Sequence, residues 1–162
     1  MEMACTLETG LPDGCADFVW GEDAWCYVKD KPRLLREAAR VVRAGGTIAF
    51  TDWVEGPAGL TSAEADRFLG FMKFPTVESV PGYSRLLAQS GCRVEAAEDT
   101  GRFPAYMDLY MSMLDMQLTY DALRILGFDM AMMEMLGGEM TFLRDLAHAG
   151  KVAQGRFIAR KE

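Results

Sequence analysis

Hydrophobic and polar positions follow two kinds of spacing in the first third of the chain. A short apolar run from Ala16 to Trp20 follows a Pro-Asp-Gly turn signal and predicts a buried strand. Apolar positions from Leu34 to Val42 then recur at helical spacing behind Asp30, a suitable N-cap, and we expect Gly45-Gly46 to end this helix. The run from Thr47 to Trp53 predicts a second buried strand. Strand, helix and strand in this order indicate a right-handed parallel βαβ unit.

The remaining two thirds read as mostly helical, with two further strands. Thr61 to Glu64 has the pattern of a capping box and predicts a helix that runs to about Phe74. The later elements are a helix at 81–90, a strand at 92–98, a helical segment at 104–150 with breaks near Gly127 and at Gly137-Gly138, and a closing strand at 154–160. No internal repeat interrupts this order, so residues 1–162 are predicted to form a single domain.

Composition and charge exclude several classes of function. The 162 residues are 50% hydrophobic and 25% charged, which suits a folded domain with a real core. The net charge of −7 argues against nucleic acid and anionic membrane surfaces as partners. No apolar run is long enough to span a bilayer. The four cysteines lack CxxC spacing and there is one histidine, so we expect no metal site, reduced thiols and a cytoplasmic location.

Methionine is concentrated in the predicted helical segment. Nine of the twelve methionines fall between Met107 and Met140. Such flexible, polarizable side chains can form a recognition surface. They also serve as adaptable core or as a contact between subunits, and this second interpretation is favoured here.

The stretch from Leu11 to Asp52 carries a family resemblance. Its matching features are a strand ending in Trp20, the Asp23-Ala24 pair, the "EAARVV" helix end with Gly45-Gly46, and a strand ending in Thr51-Asp52. In this order and spacing they resemble class I S-adenosylmethionine-dependent methyltransferases, most closely the sarcosine/dimethylglycine N-methyltransferase group. The final "AHAGKVAQGRFIARK" is similar to the last helix and strand of that group.

The resemblance implies a partial Rossmann-like α/β fold. The family sheet has strand order 3-2-1-4-5-7-6, and this chain would hold strands 4, 5, 6 and 7 with their flanking helices. Residues 1–12 would contain at most a remnant of strand 3. No GxGxxG or GxGxG motif follows a predicted strand, so the usual glycine-rich turn beneath the cofactor is missing. The family's acidic residue that contacts adenine would fall at about Cys5, and a thiol is a poor acceptor.

The resemblance also indicates where ligands would bind. Methyl transfer mainly requires positioning of the nucleophile and exclusion of water, and open α/β sheets bind ligands at the carboxyl ends of their strands. After the first strand, Glu22 or Asp23 is predicted to hold a cationic or amine substrate, and Trp25 or Tyr27 to offer an aromatic face; Asp23 and Trp25 are the preferred candidates. Alternatively, Asp23 caps a loop and Trp25 packs on the sheet. For the cofactor, S-adenosylmethionine, the candidate contacts are Cys5, Thr6, Trp20 and Glu22.

Two further substrate contacts are predicted from corresponding family positions. Asp52 ends the second strand near the site mouth, although a buried helix-capping carboxylate explains it equally well. Tyr83 corresponds to a tyrosine that lines the substrate pocket in relatives. His148 is interpreted as a helix C-terminal residue that complements the dipole.

The first strand raises a question of association. The strand at 16–20 would be central in a complete fold, so without its neighbour it presents an apolar edge with unpaired backbone groups. We therefore expect a homodimer, or docking of a complementing chain, through this edge. Two functions stay open: a small-molecule N- or O-methyltransferase completed by a partner or a missing segment, and a non-catalytic dimeric remnant or small-ligand-binding scaffold.

Overall fold

The computed structural model describes residues 7–114, 119–125 and 127–162. Their central feature is a five-stranded sheet with the order β1-β2-β5-β4, in which the short β3 pairs with the end of β2. The strands are β1 Ala16–Glu22, β2 Val42–Glu55, β3 Glu78–Ser79, β4 Cys92–Asp99 and β5 Val152–Lys161. The helices are α1 Lys31–Val41, α2 Ser62–Met72, α3 Val80–Gln89, α4 Phe103–Met113, α5 Thr119–Ile125 and α6 Met130–His148.

The predicted βαβ unit is confirmed. Strands β1 and β2 pair in parallel and α1 connects them. Asp30 caps α1 by accepting the backbone N–H of Arg33 at 2.9 Å. Strand β5 then pairs antiparallel with both β2 and β4. This order agrees with the expected arrangement of family strands 4-5-7-6, and it leaves β1 at the edge of the described sheet.

Helices cover the sheet from both sides. Helices α1 and α3 pack on Ile48, Phe50 and Phe157 in one buried cluster. Helices α2, α4 and α6 form a second cluster with Phe68 and, partly buried, Trp53. Because side chains of a strand alternate between faces, Phe50 and Trp53 of β2 point to opposite layers. The result is the helix–sheet–helix arrangement expected of an α/β fold.

The structure corrects two predicted boundaries. Helix α6 runs without a break through Gly137-Gly138, because its distal residues Leu143 and Leu146 are buried and tertiary packing outweighs the weak helix propensity of glycine. Gly45-Gly46 does not end α1 either, since that helix ends at Val41 and the pair lies within β2. Gly46 is required there by close packing: a Cβ atom would lie 2.8–2.9 Å from three neighbouring atoms, one of them the carbonyl oxygen of Asp17.

Other predictions have simple outcomes. The capping box at Thr61 and Glu64 is present and starts α2. The break near Gly127 is confirmed, and this glycine has a left-handed φ of +64°. The suggested remnant of strand 3 falls mainly on residues 1–6, outside the described residues. The two-residue strand β3 was not predicted.

Candidate functional site

A polar cleft of about 460 Å³ opens at the carboxyl ends of β1 and β4. Residues Glu22, Thr51, Arg156 and Glu98 form one row across its floor, since each pairs with the next in the register of β1, β2, β5 and β4. The complete lining is Glu22, Thr51, Glu98, Asp99, Thr100, Arg102, Tyr106, Gln154 and Arg156. The cleft lining therefore contains three carboxylates and two arginines, and one of these arginines, Arg156, forms an ion pair with Glu98.

Asp23 follows Glu22 in a constrained loop behind this cleft and contacts two of the lining residues, Thr51 and Gln154. Its φ of +46° is in the left-handed region, which Asp tolerates better than most residues. Its backbone N–H donates to the carbonyl of Thr51 at 2.9 Å. Its Oδ2 accepts a hydrogen bond from Nε2 of Gln154 at 2.7 Å. Together these contacts fix both the backbone and one carboxylate oxygen.

Two polar atoms beside this contact lack partners. Oδ1 of Asp23 and Oγ1 of Thr51 are buried, and neither has a hydrogen-bond partner among the described residues. Buried polar groups are nearly always paired, and leaving one unpaired costs on the order of 1–3 kcal/mol. A ligand or ordered water that donates a hydrogen bond at this point would satisfy them.

A buried polar cluster lies on the opposite side of the sheet. Asp52 is fully buried; its Oδ1 accepts the backbone N–H of Cys26 at 2.9 Å, and its Oδ2 accepts the phenol of Tyr83 at 2.5 Å. Burial raises the pKa of Asp52, although these hydrogen bonds and nearby Lys31 oppose that change. Burial next to Asp52 likewise raises the pKa of Tyr83 and of the Cys26 thiol.

Lys31 completes this cluster from the first turn of α1. Its Nζ donates to the carbonyls of Val28 at 2.5 Å and Cys26 at 3.3 Å. Burial lowers its pKa, and the nearby Asp52 carboxylate opposes this effect. The ammonium thus holds the segment that follows the short 3₁₀ helix Trp25–Tyr27.

The two tryptophans of this region have different environments. Trp25 is buried and stacks on Phe50, with ring centroids 3.9 Å apart. Its indole also lies over Gly21, where an added Cβ would be 2.5 Å from Nε1. Trp20 is 63% exposed and stacks on Phe18 at 6.1 Å. Trp25 therefore packs on the sheet, as the alternative interpretation proposed.

The predicted site residues do not all meet in one place. Glu22 lines the cleft, and Asp23 lies next to it and is bound by the lining residue Gln154. Asp52 and Tyr83 are fully buried on the other side of the sheet, and Asp52 caps the start of the 3₁₀ helix, so direct substrate contact by either residue stays a prediction. Of the predicted cofactor contacts, Cys5 and Thr6 lie outside the described residues. His148 is the last residue of α6, as expected, and pairs with Asp108 at 2.9 Å.

Sequence reasoning missed the contribution of β5. Gln154 and Arg156 lie on the cleft, 131 and 133 positions after Asp23 in the chain. A signal was available, because Gln154, Arg156 and Arg160 share one face of β5, whereas the alternate positions between Ala153 and Ala159 are apolar or glycine. Such alternation indicates one face that is not covered by core. The sequence could not indicate which cleft that face would line.

The glycines at the carboxyl ends of β1 and β2 form no open cradle for a nucleotide cofactor. At the carboxyl ends of β1 and β2, Gly21 is covered by the Trp25 indole and Gly56 by the carbonyl oxygen of Gly150. These residues by themselves do not fit S-adenosylmethionine, which needs a backbone turn free to approach it. Within the described part of the chain, no three His, Cys, Asp or Glu side chains are grouped as a possible metal site. Helices long and apolar enough to cross a membrane are also absent from it.

Comparison with known proteins confirms the class that the fold and the sequence motifs indicate. A family model described as a methyltransferase domain matches residues 2–50. Residues 2–50 are therefore similar to a methyltransferase domain, and the fold of the chain is that of a solved methyltransferase structure. Among curated proteins, 27-O-demethylrifamycin SV methyltransferase of Amycolatopsis mediterranei is 35% identical over 63% of this chain and 38% of its own length. Sarcosine/dimethylglycine N-methyltransferase of Halorhodospira halochloris is 41% identical over 34% of this chain and 21% of its own length.

Solved structures agree on the fold. A protein from Galdieria sulphuraria, assigned as a sarcosine dimethylglycine methyltransferase, superposes with a TM-score of 0.81 at 20% identity. The match covers 97% of this chain and 57% of that one. Phosphoethanolamine N-methyltransferase 2 of Haemonchus contortus, solved with S-adenosylhomocysteine, gives a TM-score of 0.80 at 14% identity over 96% of this chain and 35% of that one. The matched part of this chain thus spans between about a third and somewhat more than half of these structures.

Proposed function

We propose that this chain is the acceptor-binding half of an S-adenosylmethionine-dependent small-molecule methyltransferase. The acceptor would be an amine or hydroxyl compound held in the cleft beside Asp23. The relationship to methyltransferases supports the reaction class. Activity would require a cofactor-binding half supplied by a second polypeptide or by sequence beyond this chain.

The observation that carries this proposal is the unpaired oxygen of Asp23. Oδ1 is buried directly behind the cleft lining, because Asp23 follows Glu22 in the chain and its other carboxylate oxygen is bound by Gln154, and both of these residues line the cleft. A protonated amine or a hydroxyl group can donate to this oxygen, and a charge-assisted hydrogen bond in a partly buried site is stronger than a neutral one. The carboxyl ends of parallel strands are also where open α/β sheets bind their ligands.

The outer edge of β1 supports a completing chain. Phe18 and Trp20 are exposed on one face of this edge strand. Beside this edge, an apolar groove of about 210 Å³ is lined in part by Val19, Trp20 and Leu34. Among the described residues β1 pairs with β2 alone, and an edge strand with this apolar surface fits a partner that contributes a strand and covers it. The longer chains of the structural relatives are consistent with this requirement.

Binding of model acceptors tests the site. Sarcosine, dimethylglycine and phosphoethanolamine are titrated into the chain by calorimetry, since relatives are named for these compounds. We expect at least one to bind with a Kd near or below about 1 mM. Asp23→Asn should weaken that binding about tenfold or more, because it removes a charged acceptor. Asp66→Asn, the same change at an exposed position of α2, is the control. Equal binding by both variants, or no binding of any compound, would refute the proposed site.

The cofactor is tested separately. The isolated chain is expected to bind S-adenosylhomocysteine more weakly than about 100 μM, because the glycines at the carboxyl ends of β1 and β2 are covered. Tighter binding would show that the chain holds the cofactor unaided. It would contradict the need for a completing half.

The exposed β1 edge also favours a second candidate function. The chain could act as a non-catalytic scaffold, with two copies associated through Phe18 and Trp20. Under this alternative, association persists while none of the acceptors or cofactor analogues binds. The first proposal requires acceptor binding, so the same titrations separate the two functions.

A further inference from the structure

We propose that Asp52 and Tyr83 are positioning residues that set the orientation of Asp23 through the loop between β1 and α1. This inference rests on the proposed role of Asp23 in acceptor binding. It assigns to Asp52 and Tyr83 an indirect effect on the ligand, because both are fully buried on the far side of the sheet from the cleft.

The first link is an N-cap supplied by another strand. The 3₁₀ helix Trp25–Tyr27 begins after Ala24, whose side chain makes no capping hydrogen bond. Asp52, at the end of β2, performs this role instead by accepting the N–H of Cys26 at 2.9 Å. A carboxylate at a helix start satisfies an orphan N–H and complements its partial positive charge. The start of the helix is therefore tied to the sheet.

The second link runs from Cys26 to Asp23. The Cys26 thiol donates to the carbonyl oxygen of Asp23 at 3.4 Å. The N–H of Asp23 donates to the carbonyl of Thr51, the residue before Asp52. Asp23 has a positive φ of 46°, a conformation that a non-glycine residue keeps only when its surroundings hold it there. The contacts of Cys26 and Thr51 provide that restraint on either side of the residue.

The third link fixes Asp52 itself. Tyr83 of α3 donates its phenolic hydrogen to Oδ2 at 2.5 Å, so the carboxylate has one partner for each oxygen. The Tyr83 ring packs against Phe50 and Phe157, with centroids 5.1 and 5.0 Å apart. It cannot follow a shift of the carboxylate without disturbing the core. The orientation of Asp52 is thus set by packing as well as by hydrogen bonds.

Removal of one hydroxyl tests the linkage. Tyr83→Phe leaves Oδ2 of Asp52 without its partner, whereas Tyr27→Phe removes an exposed hydroxyl from the same loop and is the matched control. In hydrogen exchange followed by NMR, Tyr83→Phe should speed exchange at the amides of Asp23 and Cys26 about tenfold or more, beyond any change at β5 amides. Equal acceleration throughout the sheet would mean that Tyr83 has only a general structural role, and it would overturn the proposal.

A titration of the free protein provides a readout specific to positioning. The charged or titratable groups that interact with Asp52 are Tyr83, Cys26 and Lys31, and Glu78 of β3 in turn acts on Tyr83 and Lys31. Burial raises the pKa of Asp52. When the NMR chemical shifts of the Cys26 and Asp23 amide protons are followed as the pH falls, both should therefore change in one common transition. This transition should lie at a pH above the usual pKa range of an aspartate.

The variant Asp52→Asn should lose this common transition. A transition at Cys26 without one at Asp23 would contradict the linkage. Neither the exchange nor the titration needs a ligand, so failure of every acceptor to bind would refute the proposed function alone. If an acceptor does bind, Tyr83→Phe should weaken it severalfold while Tyr27→Phe does not.

Discussion

Replacing Trp20 by serine is expected to weaken self-association of the isolated chain. Trp20 lies on β1, the edge strand of the described sheet, and its side chain projects from one face beside Phe18. In the absence of a completing partner, two copies of this edge can cover each other's apolar surface. The purified chain should therefore behave as a dimer or larger species at micromolar concentration.

The size of the effect follows from the exposed surface of Trp20. The residue is 63% exposed, and an aromatic side chain of this kind can bury roughly 200 Å². Burial of the exposed part, roughly 130 Å², contributes about 3 kcal/mol at about 25 cal/mol per Å². Both copies in a dimer lose this side chain, so the two losses together, about 6 kcal/mol, correspond to a Kd weaker by roughly 10⁴-fold as an upper estimate.

Sedimentation velocity over a concentration series measures this change. Tyr120→Ser is the matched control, because Tyr120 on α5 is 64% exposed and lies away from the β1 edge. The control should keep the association constant of the parent chain. A parent chain that sediments as a monodisperse monomer, or a Tyr120→Ser variant that dissociates as readily as Trp20→Ser, would refute the reasoning.

Three predictions concern stability and can be checked by urea or thermal unfolding. Gly56→Ala should destabilise the fold by about 1–3 kcal/mol, because its Cβ would overlap a backbone carbonyl oxygen. Gly70→Ala, in the open interior of α2, should instead stabilise the fold by about 0.5–1 kcal/mol. A change of stability in the same direction for both variants would contradict this packing. Phe50→Ala should cost about 3–5 kcal/mol, since the buried ring contacts three aromatic neighbours, and a loss below about 1 kcal/mol would be inconsistent with that cluster. The ion pair with Lys151 lowers the pKa of Glu64 to about 2, so its contribution is present above the ordinary value of 4.5 and is lost as the pH falls towards 2. The difference in Tm between the parent chain and Glu64→Gln should accordingly shrink over that range, and a constant difference would exclude this linkage.

The polar groups of the proposed acceptor site come from distant parts of the chain. Asp23 follows β1, Thr51 belongs to β2 and Gln154 belongs to β5. Their association leaves one carboxylate oxygen and one hydroxyl buried without partners among the described residues. The arrangement therefore favours a ligand that donates hydrogen bonds, and it sets the direction from which such a ligand approaches.

The sequence by itself determined the features that depend on neighbouring residues. The βαβ unit, the Asp30 cap and the capping box at Thr61 are all local patterns of hydrophobicity and hydrogen bonding, and each was predicted correctly. The motifs around Asp23 indicated both the family and the loop that carries the cleft carboxylate. The weak helix propensity of glycine led to the wrong prediction of a break at Gly137-Gly138, because packing of the distal part of α6 keeps the helix continuous there.

Only the tertiary structure decided which polar groups meet. Gln154 reaches Asp23 across 131 positions, and Tyr83 reaches Asp52 across 31, because sheet order and register bring these strands and helices together. A periodic pattern shows that a residue lies on a polar or an apolar face, but it carries no information about which element covers that face. For this reason the sequence left two roles open for Asp52, a substrate contact and a buried helix-capping carboxylate. Only the folded arrangement shows that it caps the start of the 3₁₀ helix in a buried cluster with Tyr83, on the other side of the sheet from the cleft.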